Sequence, residues 1–84
     1  MQIANDTTPQ LRELTAVERT MRTVAWVTDR LAERSNLKPA DREARALQYQ
    51  ERAANFVLMA EAYPTMAEFA GLNSVAASIL RAPE

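Results

Sequence analysis

Residues 40–63 read ADREARALQYQERAANFVLMAEAY, and this stretch decides the fold. It holds no glycine and no proline, and alanine recurs throughout. On a helix of 3.6 residues per turn, Ala46, Tyr49, Ala53, Phe56, Ala60 and Tyr63 fall at alternating steps of three and four and form one seam. Alanine lets a neighbouring helix approach closely, and each aromatic ring fills the space beside it. A second row, Ala40, Ala44, Leu47, Ala54, Leu58 and Ala62, runs beside the seam. Asp41, Arg45, Gln48, Arg52 and Asn55 form the solvated face. From Phe56 to Ala62 the chain is apolar nearly all round, the pattern of a helix entering a shared core. Tyr49, Phe56, Met59 and Tyr63 are the candidate contacts with a second subunit.

Working outward, Ser35-Asn36-Leu37-Lys38 is a short connection and Pro39 opens the organising helix, a position where a missing N–H is harmless. A link this short predicts an antiparallel hairpin with a helix over residues 16–34. Thr15-Ala16-Val17-Glu18 is a capping-box start for that helix and favours a break near Leu14-Thr15, after a short helical turn at 9–14, over one helix running through. Its apolar stripe is Val17, Met21, Val24, Thr28 and Leu31, taken as the face that packs on the hairpin. Trp26 lies about 180° from Val17, on the face predicted to be polar. Beyond the organising helix, Tyr63-Pro64 stops it. Thr65-Met66-Ala67-Glu68 reads as another capping box. Gly71 suits the left-handed position that closes a helix, and Asn73 or Ser74 caps a last one. The expectation is an all-α domain over residues 1–84, with 1–8 frayed: an antiparallel helical hairpin closed by one or two short C-terminal helices.

The chain has 84 residues, net charge -1, and neither cysteine nor histidine. That removes disulfides, thiolate and imidazole metal ligands, cysteine nucleophiles and histidine bases together. No metal and no cofactor is expected, and an enzyme is not expected. The sequence shows neither a signal pattern nor an apolar run near the ~20 residues of a membrane span, so a cytoplasmic protein is expected. Asp29 and Glu33 stand four apart, but arginines flank both, which favours ion pairing over a metal site. Glu61 sits in the apolar end of the organising helix.

Nine of the ten basic residues lie between Arg12 and Arg52, nearly all of them arginine. Trp26 with Arg19, Arg22 and Arg30, and the nearby Asp29 and Glu33, is the candidate partner-binding group, because tryptophan and arginine dominate binding hot spots. The same tryptophan can instead pack under the N-terminal segment or a second subunit.

Two resemblances bear on function. Ala67-Glu68-Phe69-Ala70-Gly71-Leu72-Asn73 resembles the helix–turn–helix start of the lac and purine repressor family, which implies a DNA-reading element over 66–80. The positions that would read bases are Ser74, Val75, Ala76, Ala77 and Ser78, without a basic or amide side chain, and Arg81 is the only positive charge nearby. Ile3-Ala4-Asn5-Asp6-Thr7-Thr8 is similar to the opening of some small phage-encoded anti-CRISPR proteins. That resemblance implies non-catalytic inhibition by binding a host protein or nucleoprotein complex. The expected function is therefore protein binding without chemistry, by a homodimer, with a small transcriptional regulator as the alternative.

Overall fold

The computed structural model describes residues 14–83. The expected turn at 9–14, the frayed segment 1–8 and the resemblance carried by Ile3–Thr8 lie outside these residues, save for Leu14. Among the described residues the chain is all-α, a three-helix bundle: α1 (Ala16–Asn36), α2 (Pro39–Met59) and α3 (Met66–Arg81). The capping box forms as the sequence predicts. Thr15 Oγ1 accepts from the Glu18 backbone N–H at 3.1 Å, and the Glu18 carboxylate accepts from the Thr15 N–H at 2.9 Å.

The direction of each helix follows from which residues meet. Glu33 and Tyr49, and Arg34 and Arg42, pair in descending order, so α1 and α2 are antiparallel. Phe56 meets Phe69 and Glu43 meets Arg81, so α2 and α3 are antiparallel as well. Arg22 meets Glu68, Trp26 meets Leu72 and Arg34 meets Ala82, so α1 and α3 run parallel. The seam on α2 holds in its first half, where Ala46, Tyr49 and Ala53 are buried; Phe56 is half-buried, and Tyr63 lies beyond the end of α2 and is exposed. Its close partner is α3, whose Ala70, Ala76, Ala77 and Leu80 are buried against it. Small residues on both helices permit that approach. α1 and α2 stand further apart and are bridged by long side chains.

Three expectations are corrected. First, α3 is one continuous helix of 16 residues and none of the described residues has a positive φ. Gly71 therefore closes nothing, Asn73 caps nothing, and the turn of a helix–turn–helix is absent from 66–80. Asn73 is buried in mid-helix, where its Nδ2 donates to the Phe69 carbonyl one turn back at 2.8 Å. Second, Thr65 makes no side-chain capping bond; the reversal between α2 and α3 is tied instead by backbone bonds such as Tyr63 N–H to Met59 C=O at 2.8 Å. Third, α1 is turned half a revolution from the expected orientation. Val17, Met21, Val24 and Leu31 are 66%, 66%, 58% and 51% exposed, while Trp26 packs on the buried cluster.

Gly71 gives a direct check on the continuous helix. A Cβ built there meets nothing within 4 Å. Gly71→Ala is expected to raise stability by about 0.5–1 kcal/mol, because alanine loses less backbone entropy in a helix. A left-handed corner at this position would make alanine destabilising, and urea unfolding of the two proteins tells the cases apart.

Candidate functional site

The inward face of α1 is built from residues one turn apart: Arg22, Trp26, Arg30, Glu33 and Leu37. On a helical wheel all five lie within about 40° of Trp26. Leu37 is the C-cap residue of α1 and packs on the cluster of Ala46, Tyr49, Ala76, Ala77 and Leu80. That anchor at the helix end, with Trp26 three turns earlier, fixes which side of α1 faces inward.

Trp26 occupies the junction of the three helices. Its ring meets Tyr49 edge-on, with centroids 6.2 Å apart at 84°. Its Nε1–H donates to the Leu72 carbonyl of α3 at 2.8 Å. The Arg30 guanidinium lies over the indole at 4.5 Å, a favourable cation–π placement. Arg30 Nη1 also donates to the Tyr49 hydroxyl at 2.6 Å, and that hydroxyl donates to Glu33 Oε1 at 2.7 Å. Arg45 of α2 completes the group by pairing with Glu33. Burial raises the Tyr49 hydroxyl above the ordinary tyrosine pKa, and the bond to the Glu33 carboxylate adds to it, against the opposing charges of Arg30 and Arg52. The chain thus spends its polar residues on tying α1 to α2. At the far end Arg81 grips Glu43 and Gln50, and its guanidinium holds the Glu43 carboxyl below the usual range.

Because α1 and α2 are held apart, a cleft of about 480 Å³ opens between them. Trp26 and Ala25 line one wall, Arg52 and Phe56 the other, and Phe69, Leu72 and Asn73 the floor. Phe56 and Phe69 stack at 5.6 Å, and Arg22 lies over Phe69 at 5.7 Å while pairing with Glu68. Asp29 stands at the rim.

The candidate partner group is thereby sorted. Trp26, Arg22, Arg30 and Glu33 come together, on the inside of the bundle and in contact with their own chain. Trp26 does not stand on a free polar face: its ring packs against the chain's own buried cluster at the helix junction. Arg19 lies apart, in a shallow hollow with Pro64, Thr65 and Glu68. Of the proposed subunit contacts, Tyr49 is buried in the chain's own core and Phe56 is half-buried on Phe69. Met59 and Tyr63 remain at the surface. Glu61 is exposed, and no three carboxylates converge on a metal site among the described residues. No helix among them is long and apolar enough to cross a membrane.

The face that the sequence assigned to the core is left open, as are Val57, Leu58, Met59 and Tyr63 around the end of α2. Val17, Met21, Val24, Thr28 and Leu31 form an exposed line along α1. Scattered exposed aliphatic residues are ordinary; a continuous row along one helix is a mark of an interaction surface. No family model, no curated protein and no solved structure matches this chain.

Proposed function

We propose that the chain is a non-catalytic protein-binding module that receives a partner helix on the outward face of α1. The observation that carries this reading is the row Val17, Met21, Val24 and Leu31, each more than half exposed on a helix whose other face is already packed. An apolar row of this kind is the pattern used in helix-to-helix recognition, where i, i+3, i+4 and i+7 residues supply the anchors. The inward group is the weaker candidate for the primary surface, since its aromatic and charged side chains are already paired within the chain.

Within this class, the sharper reading is an inhibitor carried by a phage or mobile element that binds a host protein or nucleoprotein complex. Its support is the likeness of Ile3–Thr8 to anti-CRISPR openings, together with a bundle that offers an exposed apolar surface. A DNA-reading role for 66–80 would require a turn that the continuous α3 does not make.

Val24→Asp tests the reading. Val24 is more than half exposed, so the new carboxylate stays in water and the fold is expected to hold. Partner affinity is expected to fall tenfold or more, about 1.4 kcal/mol. The measurement is affinity capture from the native host with wild-type and variant baits, beside a thermal melt of each. The same proteins captured equally by both baits would remove α1 from the binding surface.

A further inference from the structure

We infer that the cleft between α1 and α2 is a binding site for a small aromatic acid that carries a hydroxyl or N–H donor at the other end of its ring. This site is independent of the outward α1 face, since it uses other residues and another side of that helix.

The walls select an aromatic body. Each helix contributes one ring to the lining: Trp26 from α1, Phe56 from α2 and Phe69 from α3. Phe56 and Phe69 stand 5.6 Å apart in a tilted stack. An aromatic guest packs edge-on or offset against such rings and gains more than its buried area alone provides. The volume of about 480 Å³ lies in the range of small-molecule sites, which combine apolar walls with a few placed polar groups.

The floor selects a donor. Asn73 lines it and is only 5% exposed. Its Nδ2 is committed to the Phe69 carbonyl at 2.8 Å. Its Oδ1 accepts from no group among the described residues and is still reached by solvent. Acceptors on nearly buried side chains are normally satisfied, so this oxygen is available to an O–H or N–H of a guest.

The rim selects an acid. Arg52 lies over the Tyr49 ring at 5.2 Å, and no carboxylate among the described residues holds it. Arg22 is the second guanidinium of the lining, and its partner Glu68 stands outside that lining. Against these two cations the lining holds one carboxylate, Asp29. The balance favours an anion over an amine, and the planar fork of Arg52 can take a carboxylate through two parallel N–H bonds. The guest accordingly enters donor first, with its acid left near the mouth.

Trp26 is the single tryptophan of the chain, so its fluorescence reports on the cleft directly. The probe is 4-hydroxyphenylacetate. Its analogues are phenylacetate, which lacks the hydroxyl, 4-methylphenol, which lacks the acid, and tyramine, which carries an amine in its place. Wild type is expected to give a saturable fluorescence change with a Kd of roughly 0.1–1 mM, as suits a ligand of so few atoms, and a higher melting temperature at saturation. Losing the acid or exchanging it for the amine is expected to weaken binding about tenfold, and losing the hydroxyl about threefold. Arg52→Gln is expected to bring the probe and 4-methylphenol within about twofold of each other. Asn73→Ala is expected to do the same for the probe and phenylacetate. No saturable change up to about 10 mM probe overturns the site. Tyramine binding as tightly as the acid overturns the choice of an anion. Binding that neither Arg52→Gln nor Asn73→Ala weakens overturns the inference as well, since the guest then lies elsewhere. Should Asn73→Ala unfold by circular dichroism, the ligand series and Arg52→Gln decide alone.

Discussion

Trp26→Ala is expected to destabilise the chain by about 3 kcal/mol, the low end for removing a core tryptophan, because the ring is half-buried. Three contributions are lost together. The edge-on contact with Tyr49 at 6.2 Å goes, as does the Arg30 guanidinium stacked at 4.5 Å. The Nε1 bond to the Leu72 carbonyl at 2.8 Å goes too, and with it the direct polar tie between α1 and the middle of α3. The space left behind opens into the neighbouring cleft, so water enters it and part of the cavity penalty is relieved. In a domain whose whole stability is of the order of 5–15 kcal/mol, such a loss lowers the melting temperature by many degrees. Urea unfolding followed by circular dichroism measures it. Trp26→Phe keeps an aromatic ring but not the N–H donor, and is expected to recover about half of the loss. A Trp26→Ala protein that unfolds at the wild-type urea concentration would mean that α1 packs by its other face.

Tyr49→Phe is expected to cost about 2 kcal/mol near neutral pH, although it changes one atom. The ring stays buried against the α3 alanines, so little packing is lost. What disappears is the hydroxyl that accepts from Arg30 and donates to Glu33, leaving a half-buried carboxylate and guanidinium each one partner short. The difference between the two proteins depends on pH. Burial and the Glu33 carboxylate raise the folded-state pKa of Tyr49, so the folded chain holds this proton more tightly than the unfolded chain. The hydroxyl's contribution is complete below the unfolded pKa of about 10 and is lost as pH rises through the higher folded value. Wild-type and Tyr49→Phe stabilities should therefore converge as alkaline pH is approached and passed. Paired urea titrations at pH 8 and above pH 10 check this. A gap that stays constant across that range would place the hydroxyl outside the network described here.

Much of the architecture was legible in the residues. The α2 seam could be read because Ala46, Tyr49 and Ala53 combine helical spacing with small and aromatic side chains, and these are the α2 residues buried in the bundle. The start of α1 was legible because a capping box is local: Thr15 and Glu18 satisfy each other's backbone within one turn. The stop expected at Tyr63-Pro64 was legible only in part: α2 already ends at Met59, with Ala60 as its C-cap, so the turn begins before the proline acts. Gly71 misled, because a glycine permits a left-handed corner without requiring one. Phe69, Leu72 and Leu80 on either side of it have enough to pack against that the helix runs through.

The orientation of α1 is what only the tertiary structure decided. By hydrophobicity, Val17, Met21, Val24 and Leu31 outweigh the opposite face, and a sequence reading assigns them to the core. Three distant features select the other side. Leu37, placed in the connection by sequence, caps the helix and anchors its end in the core. The Leu72 carbonyl, 46 residues away, offers Trp26 a hydrogen-bond acceptor. Arg45 and Tyr49 supply counterparts for Glu33 and Arg30. None of these partners is visible in the periodicity of α1, because periodicity records how apolar a face is and not what stands opposite it. The sequence alone determined that the chain is all-α, where α1, α2 and α3 begin and which part of the α2 seam is buried. Packing determined which face of α1 turns inward, since an indole N–H and three arginine–carboxylate–tyrosine contacts are satisfied only there, and it thereby left the aliphatic row at the surface.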